Sequence, residues 1–305
     1  MKSKTKRRLF IILFLFPTLF AFAIFYLYPI ITVFVTSFCK WDYQNVTKPE
    51  LYSFSELLSN YKYIFQTYPY FETALVNSLK WSACGALIGT SVAVLAALIL
   101  SWNLPGTKVV RNVYILPSII SSAAMGLIFL QLYNPRYGMI AQMVRSINPN
   151  FKDSILLVQP ANFWALTFSY IFFQGTTCIM LLGQIASVPS EIYDAAKIDG
   201  ATSWKRELYI TLPSIKGMIK TVVILGASSG FLIYNEIYFL TKGAAGTTSL
   251  TYILRELAIM SPRSQYARAN VIGVILILGG LGIIGIINLL FSINFKTKRL
   301  KREEE

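Results

Sequence analysis

The sequence predicts an all-α membrane protein with six transmembrane helices. Two observations on composition support this class: 55% of the 305 residues are hydrophobic and only 14% are charged. A soluble domain carries roughly 45–50% apolar and about 25% charged residues. The third observation is that six stretches are apolar over about 20 residues, the length that a helix needs to cross a bilayer. An open sheet would leave unpaired backbone groups in lipid, so the spans are predicted to be helices.

The six predicted helices occupy the gaps between charged residues. Their approximate bounds are 9–36, 74–101, 109–133, 159–187, 214–239 and 269–294. The first follows a basic segment, as a signal peptide would, but its apolar run exceeds 7–15 residues and no A-x-A cleavage site follows. We therefore interpret it as a retained helix. The fifth is the weakest, since Glu236 lies near one end. The patterns Gly85-x-x-x-Gly89 and Gly226-x-x-x-Gly230 would let helices approach closely.

Loop charges favour an orientation with both termini in the cytoplasm. Cytoplasmic loops of membrane proteins carry an excess of Lys and Arg. With six spans, seventeen of the 28 lie on the side of the termini and ten on the opposite side, while Lys80 falls inside a span and is expected to snorkel. The outer segments 37–72, 134–158 and 240–268 are expected to form short helices on the outer surface.

The composition excludes several classes of site. There is no histidine, which removes His-dependent triads and His-based zinc sites. Cys39, Cys84 and Cys178 lie far apart and fit no metal or redox spacing, so we expect small buried side chains there. The net charge is +14, but the cations form no basic face, which argues against a nucleic-acid partner. We predict no catalytic and no metal-binding residues.

The connection between the fourth and fifth helices, 190–213, has an unusual pattern for a cytoplasmic loop. Ser190 is expected to cap a short helix, with Asp194 in the first turn, where the helix dipole favours anions. Gly200 is expected to end that helix, since glycine adopts the left-handed conformation easily. A second helical run should follow until Pro213 interrupts it. The prediction is a helix–Gly–helix hairpin.

The residues of this hairpin resemble the signature loop of the permease subunits of ATP-binding cassette importers. That loop has the pattern E-A-A-x-x-x-G, followed nine residues later by I-x-L-P. The matching residues are Asp194-Ala195-Ala196, Asp199-Gly200-Ala201 and Ile210-Thr211-Leu212-Pro213. Asp194 stands where Glu is usual, and Glu207 stands where an aromatic residue often packs against the ATPase. The resemblance implies ATPase coupling by Asp194, Ala195, Ala196, Asp199, Gly200, Ala201, Glu207, Leu212 and Pro213.

Other parts of the chain resemble the sugar-importer permeases of the maltose and glycerol-phosphate type, in particular their first permease. The similar stretches are Phe16-Pro17-Thr18, Tyr28-Pro29-Ile30, Trp41-Asp42 and 234–243. Ala244-Ala245 replaces part of the usual Gly-Gly-Pro turn. The resemblance implies a type I importer permease fold in a bacterial plasma membrane. It also implies a second homologous permease, two ATPase subunits and an extracellular solute-binding protein, which segments 37–72 and 240–268 are expected to contact.

Two sequence features bear on cofactor binding and on the alternative functions: the phosphate-binding loop that is missing and the few ionisable residues in the spans. No phosphate-binding loop G-x-x-x-x-G-K-[ST] occurs, so ATP and Mg are expected on the partner ATPase and no cofactor on this chain. The alternative is a gradient-driven secondary transporter or channel, which would need intramembrane ionisable groups. Only Lys80 and Glu236 come near that requirement. A membrane-embedded enzyme is less favoured, without His or a clustered carboxylate pair.

The resemblance implies a carbohydrate substrate, a mono- or oligosaccharide. Sugars stack on aromatic rings and bond to neutral polar groups, which spans four to six provide. The candidates for the substrate path are Tyr170, Gln174, Tyr234, Asn235, Glu236, Tyr238 and Asn270. The aromatic residues could instead anchor or pack helices, whereas amides at membrane depth need partners. For Glu236 three roles stay open: binding solute, pairing with an outer-loop Arg, or contacting the binding protein.

Overall fold

The protein is almost entirely helical in the computed structural model, which describes residues 2–102, 104–149, 154–171 and 174–303. Within these residues, four helices are long and apolar enough to cross a membrane. They are Lys6–Thr36, Phe71–Ser101, Lys216–Leu240 and Tyr266–Ser292. Two bent pairs raise the number to six if each pair is one span. The protein is therefore a multi-pass helical membrane protein.

The third predicted span is two helices rather than one. Thr107–Ile119 and Ser122–Leu132 meet at 101°. Ile120 and Ser121 have extended backbones, and the Ser121 hydroxyl caps the second helix by accepting a bond from the amide of Ala124 at 3.3 Å. The new cap explains the break, because it starts a second helix instead of continuing the first.

The fourth predicted span is likewise a bent pair. Ala161–Ile171 and Gly175–Ile185 are inclined at 46°, and residues 172–173 lie outside the described residues. In contrast, the first and sixth predicted spans are continuous helical segments, Lys6–Thr36 and Tyr266–Ser292. The two bent helix pairs are therefore the third and fourth predicted spans, in the middle of the chain.

The helical segments have the following bounds. The α-helices are Lys2–Phe22, Tyr28–Thr36, Ser59–Lys62, Phe71–Cys84, Thr90–Ser101, Thr107–Ile119, Ser122–Leu132, Met139–Ile147, Ala161–Ile171, Gly175–Ile185, Ser190–Ile198, Ser203–Arg206, Leu212–Ser214, Lys216–Phe231, Asn235–Leu240, Leu250–Arg255 and Tyr266–Glu303. Wider π-helical turns are Ala23–Leu27, Tyr63–Thr67, Gly85–Gly89, Glu207–Thr211 and Glu256–Met260. The 3-10 turns are Phe54–Glu56, Ile155–Leu157 and Ala244–Gly246.

One of two compact units comprises the chain up to Pro69 together with Ile253–Ile277. It contains a two-stranded antiparallel ribbon, Cys39–Lys40 with Glu50–Leu51, in which Cys39 lies opposite Leu51. The buried amide of Asn60 donates to the carbonyls of Ser37 and Cys39 at 2.9 and 2.8 Å, which fixes the chain at the end of the first helix.

The other unit, Tyr70–Tyr252 with the chain from Leu278 onward, contains the middle helices. Trp81 is fully buried in its core, stacked on Phe163 with ring centroids 5.1 Å apart. Gly85 and Gly226 lie against each other, and a Cβ at Gly226 would come within 2.5 Å of the Gly85 carbonyl oxygen. The predicted close approach of two helices at these glycines is therefore present. Gly89 takes no part, since a Cβ there would make ordinary contacts only.

Candidate functional site

The 190–213 segment forms a hairpin of helical pieces. Its first helix, Ser190–Ile198, ends at Asp199, and Gly200 follows with φ of +73°, as predicted. The prediction that Ser190 is the cap is wrong: Pro189 occupies the cap position with an extended backbone, and Ser190 is the first helical residue. The missing N–H of Pro189 removes one donor that a helix start would otherwise leave unpaired.

The second arm is longer than predicted. It starts at Ser203, where the Thr202 hydroxyl accepts a bond from the Lys205 amide at 3.5 Å, and it continues through the turn Glu207–Thr211. Pro213 does not end it, because it lies in the first turn of Leu212–Ser214, where a proline costs little. The hydroxyls of Tyr193 and Thr211 lie 2.9 Å apart and join the two arms.

The residues that match the importer loop lie mainly on the exposed side of the hairpin. Asp194, Ala195, Asp199, Gly200 and Pro213 are exposed, and Ala196, Ala201 and Leu212 are half-buried. The Asp194 carboxylate accepts a bond from Lys197 at 2.7 Å across one helical turn. The hairpin therefore presents a thin polar face with small side chains beside a sharp turn.

Glu207 has a different environment from the other matching residues. It is only 6% exposed, and one carboxylate oxygen accepts a bond of 2.9 Å from the indole N–H of Trp102. The other oxygen is buried without a hydrogen-bond partner in the described structure. This position does not match the expectation that Glu207 contacts the ATPase, because the side chain is buried and bonded to Trp102 of the same chain. Glu207 also borders a cavity of about 810 Å³ that Arg111 and Arg206 line.

The hairpin also exposes apolar side chains that the sequence pattern did not indicate. Ile198 is 88% exposed at the end of the first helix, and Tyr209 is 78% exposed on the second arm. The sequence feature that could have indicated this exposure is Ile198, an aliphatic residue directly before Asp199-Gly200 in a polar helix.

A second candidate site is a cavity of about 320 Å³ beside the breaks in both bent helix pairs. Three predicted path residues line it: Tyr170, Gln174 and Glu236. Six further hydroxyl side chains line it: Ser118, Ser122, Ser169, Thr176, Thr177 and Ser229. These six do not stand out in the sequence, because single serines and threonines in apolar helices give no periodic signal. The cavity suits a polar ligand of small size.

The four remaining path candidates are not among the residues that line this cavity. Tyr234 stacks between Tyr238 and Tyr252, with centroids 5.6 and 6.3 Å away. Asn235 begins the helix Asn235–Leu240. In the other unit, the Asn270 amide donates to the Thr36 hydroxyl at 2.7 Å, so its partner is a neighbouring helix.

A larger cavity, about 840 Å³, is lined by Lys80 and Trp164. Its amides are already engaged with the loop that contains Ala244-Ala245. Asn77 donates to the carbonyls of Gly246 and Thr248 at 2.7 and 3.0 Å, and both Gln159 and Asn162 donate to the carbonyl of Ala245. These bonds hold a loop in which Ala245 has φ of +51°. The amides on this side of the cavity therefore hold the neighbouring loop in place.

Comparison with known proteins gives both a family and a fold. The family model described as "Binding-protein-dependent transport system inner membrane component" matches residues 85–295. The arabinooligosaccharides transport system permease protein AraP of Bacillus subtilis is 28% identical over 298 residues, covering 93% of this chain and 88% of AraP.

Two crystal structures have a similar fold. One is a bacterial ABC transporter involved in the import of the acidic polysaccharide alginate, with a TM-score of 0.78, 22% identity, and coverage of 95% of this chain and 97% of that chain. The other is the alginate transporter in complex with an alginate pentasaccharide-bound periplasmic protein, with a TM-score of 0.75, 22% identity, and coverage of 95% and 96%.

Proposed function

The chain belongs to the family of binding-protein-dependent transport system inner membrane components, and from this premise we propose that it is the permease subunit of an ATP-driven saccharide importer. The membership confirms the resemblance inferred from the 190–213 segment. The observation that supports the coupling role is the exposed hairpin with Gly200 in the left-handed conformation at the family's spacing. The chain is thus a transport component, and hydrolysis of ATP takes place on other subunits.

The substrate is a mono- or oligosaccharide. The similar AraP is described as transporting arabinooligosaccharides, and the similar crystal structures concern a polysaccharide. The hydroxyl-lined cavity at Tyr170, Gln174 and Glu236 supports the same class, because hydroxyl and amide groups exchange hydrogen bonds with sugar hydroxyls. The solute passes this cavity on its way across the membrane.

In this proposal the chain crosses a bacterial plasma membrane six times and has both termini in the cytoplasm. Each bent pair counts as one span, and the seventeen-to-ten distribution of Lys and Arg gives the orientation. Side chains 6–31 are exposed along an apolar helix, as expected for a surface covered by lipid or by a second membrane subunit. A second homologous permease completes the pore.

The hairpin couples this pore to one of the two ATPase subunits, which bind ATP and Mg. Its arms are joined at Tyr193 and Thr211, so it moves as one body when the ATPase pair closes. On the outer side, segments 37–72 and 240–268 receive a solute-binding protein. The crystal structure with a saccharide-bound periplasmic protein supports such a partner for this fold.

The test is purification of the tagged chain from its native membrane, followed by reconstitution in proteoliposomes. We expect a second permease, an ATPase and ATP-dependent uptake of a radiolabelled saccharide that ionophores leave unchanged. Uptake by this chain alone, driven by an ion gradient and abolished by ionophores, would contradict the proposal and favour a secondary transporter.

A further inference from the structure

Several hydroxyl groups that line the 320 Å³ cavity already donate their protons within the chain. Ser118 and Ser169 each donate their proton to a backbone carbonyl in their own helix at 2.7 Å, and Tyr170 donates to the carbonyl of Trp81 at 3.0 Å. A hydroxyl has one proton and two lone pairs, so these three oxygens have only lone pairs left for a ligand. This part of the wall therefore favours a ligand that brings its own donors.

Glu236 is the one acidic side chain among the described residues that line the same wall, and it brings a negative charge there when its carboxyl group is ionised. An ionised carboxylate accepts hydrogen bonds and donates none. No Lys or Arg is among the described residues that line this cavity. The ion pair found among the described residues joins Lys197 to Asp194 in the hairpin, away from Glu236 in the sequence. The Glu236 side chain is half-buried, and among the described residues it makes no ion pair within 4 Å. No described Lys or Arg lining this cavity would offset the repulsion between an ionised Glu236 and a second anion.

The neighbouring helix starts provide the opposite polarity. Ser122–Leu132 and Gly175–Ile185 both begin at the cavity, where Ser122 and Thr176 line it. Helix N-termini carry partial positive charge and favour anions. Glu236 is the acidic side chain that the protein itself supplies at this place. The sign of the electrostatic potential in the cavity therefore depends on this single side chain.

We propose that Glu236 sets the charge selectivity of the translocation cavity. It favours neutral or amino-bearing saccharides, which have hydroxyl or ammonium donors, and it rejects acidic saccharides such as uronates and sugar phosphates. This inference rests on the proposed importer function and names the substrate class of that cavity.

The test measures the sign of the cavity directly with charged thiol reagents. Cys39, Cys84 and Cys178 are first replaced by alanine, and a reporter cysteine is introduced as Ser229→Cys or, separately, Thr176→Cys. Both positions line the cavity and are exposed. The rates of modification by a cationic and an anionic methanethiosulfonate are compared in membranes that contain the whole importer, relative to a free thiol in solution.

The cationic reagent should be favoured about tenfold or more with Glu236 present, since a cleft lined by one sign of charge concentrates the opposite ion by 10–10³. Glu236→Gln should reduce this preference at least tenfold, and Glu236→Asp should retain it. A reporter at Thr73, which lines the separate 840 Å³ cavity, should show no change in Glu236→Gln.

A preference that is the same in Glu236→Gln and in the parent would overturn the proposal. So would the absence of reaction at both reporter positions, because a solute could not then reach Glu236. Neither result would affect the importer function, which is tested by ATP-dependent uptake. Protein amount and co-purification of the ATPase establish that each variant is assembled.

Discussion

The indole nitrogen of Trp102 donates a 2.9 Å hydrogen bond to the carboxylate of Glu207. Trp102 follows the helix Thr90–Ser101, and Glu207 lies on the second arm of the 190–213 hairpin. The Trp102 ring also meets Trp204 edge to face, with centroids 5.1 Å apart. The second arm of the hairpin is therefore joined to the end of an apolar helix by a partly buried hydrogen bond and an aromatic contact.

Trp102→Phe should destabilise the hairpin by about 1–3 kcal/mol, because the buried Glu207 carboxylate then has neither oxygen paired. We expect a lower thermal midpoint of the purified complex and weaker coupling of ATP hydrolysis to uptake. The double variant Trp102→Phe with Glu207→Met should recover part of the loss, since both polar partners are then gone. Equal stability of Trp102→Phe and the parent would show that the bond contributes nothing.

Matched exposed isoleucines test whether the hairpin tip contacts another protein. Ile198 and Ile147 each end a nine-residue helix and are 88% and 85% exposed. Ile198→Asp should remove an apolar contact and release the ATPase at least tenfold more readily, as measured by co-purification at increasing salt and detergent. Ile147→Asp, on a segment assigned to the outer side, should leave the ATPase bound. Release in both variants, or in neither, would exclude a specific contact at Ile198.

The hairpin illustrates what the sequence could and could not predict. Gly200 follows from local chemistry, since a short helix that ends in Asp-Gly needs a left-handed residue there. The inward position of Glu207 does not follow, because its partner Trp102 is 105 residues earlier and no periodicity links the two. The break at Ser121 was likewise hidden, since the apolar run continues across it. Long-range partners and new caps decide such features.

Gly85→Ala should destabilise the membrane domain by about 1–3 kcal/mol, because its methyl group would overlap the backbone of Gly226. Two backbones cannot separate as easily as a flexible side chain can move. Gly282→Ala, in an apolar helix with open space around the Cβ position, is the matched control and should be neutral. The measurement is the thermal midpoint of the purified chain in detergent. Equal midpoints for both variants would contradict the close packing of the two glycines.

Arg263→Glu should weaken docking of the loaded solute-binding protein several-fold while basal ATP hydrolysis stays the same. Arg263 is exposed, and it lies in the outer segment 240–268 that we assign to this partner. Arg136→Glu, an equally exposed change in the segment 134–158, serves as the control and should leave docking unchanged. Binding to immobilised complex measures both. Identical docking of the two variants and the parent would remove this part of the partner assignment.

Cavity residues show the same division between what the sequence reveals and what it does not. Gln174 and Glu236 stand out because polar groups are rare in apolar helices, and both line the 320 Å³ cavity. Asn270 stands out for the same reason, yet its amide bonds to Thr36. A polar residue at membrane depth therefore indicates that a partner exists, and only the fold decides whether the partner is a solute or a neighbouring helix.

Gly200→Asp should uncouple the importer without unfolding the permease. Gly200 has φ of +73°, but a Cβ there meets nothing within 4 Å in this chain, so the cost is that of the backbone conformation alone, on the order of 1 kcal/mol. The ATPase surface that receives the hairpin would instead meet a new charged side chain beside Asp199. We expect normal amounts of inserted protein, loss of ATPase co-purification and loss of uptake.

Gly106 provides a matched control for this last prediction, because it also has a positive φ, +87°, and open space around its Cβ position. Gly106→Asp adds the same side chain at the same kind of turn, in the connection between Thr90–Ser101 and Thr107–Ile119, outside the hairpin. It should retain the ATPase and at least half of the uptake, since its cost is confined to the chain. Solute-stimulated ATP hydrolysis at the parent rate in Gly200→Asp, with the ATPase still bound, would disprove coupling through this hairpin.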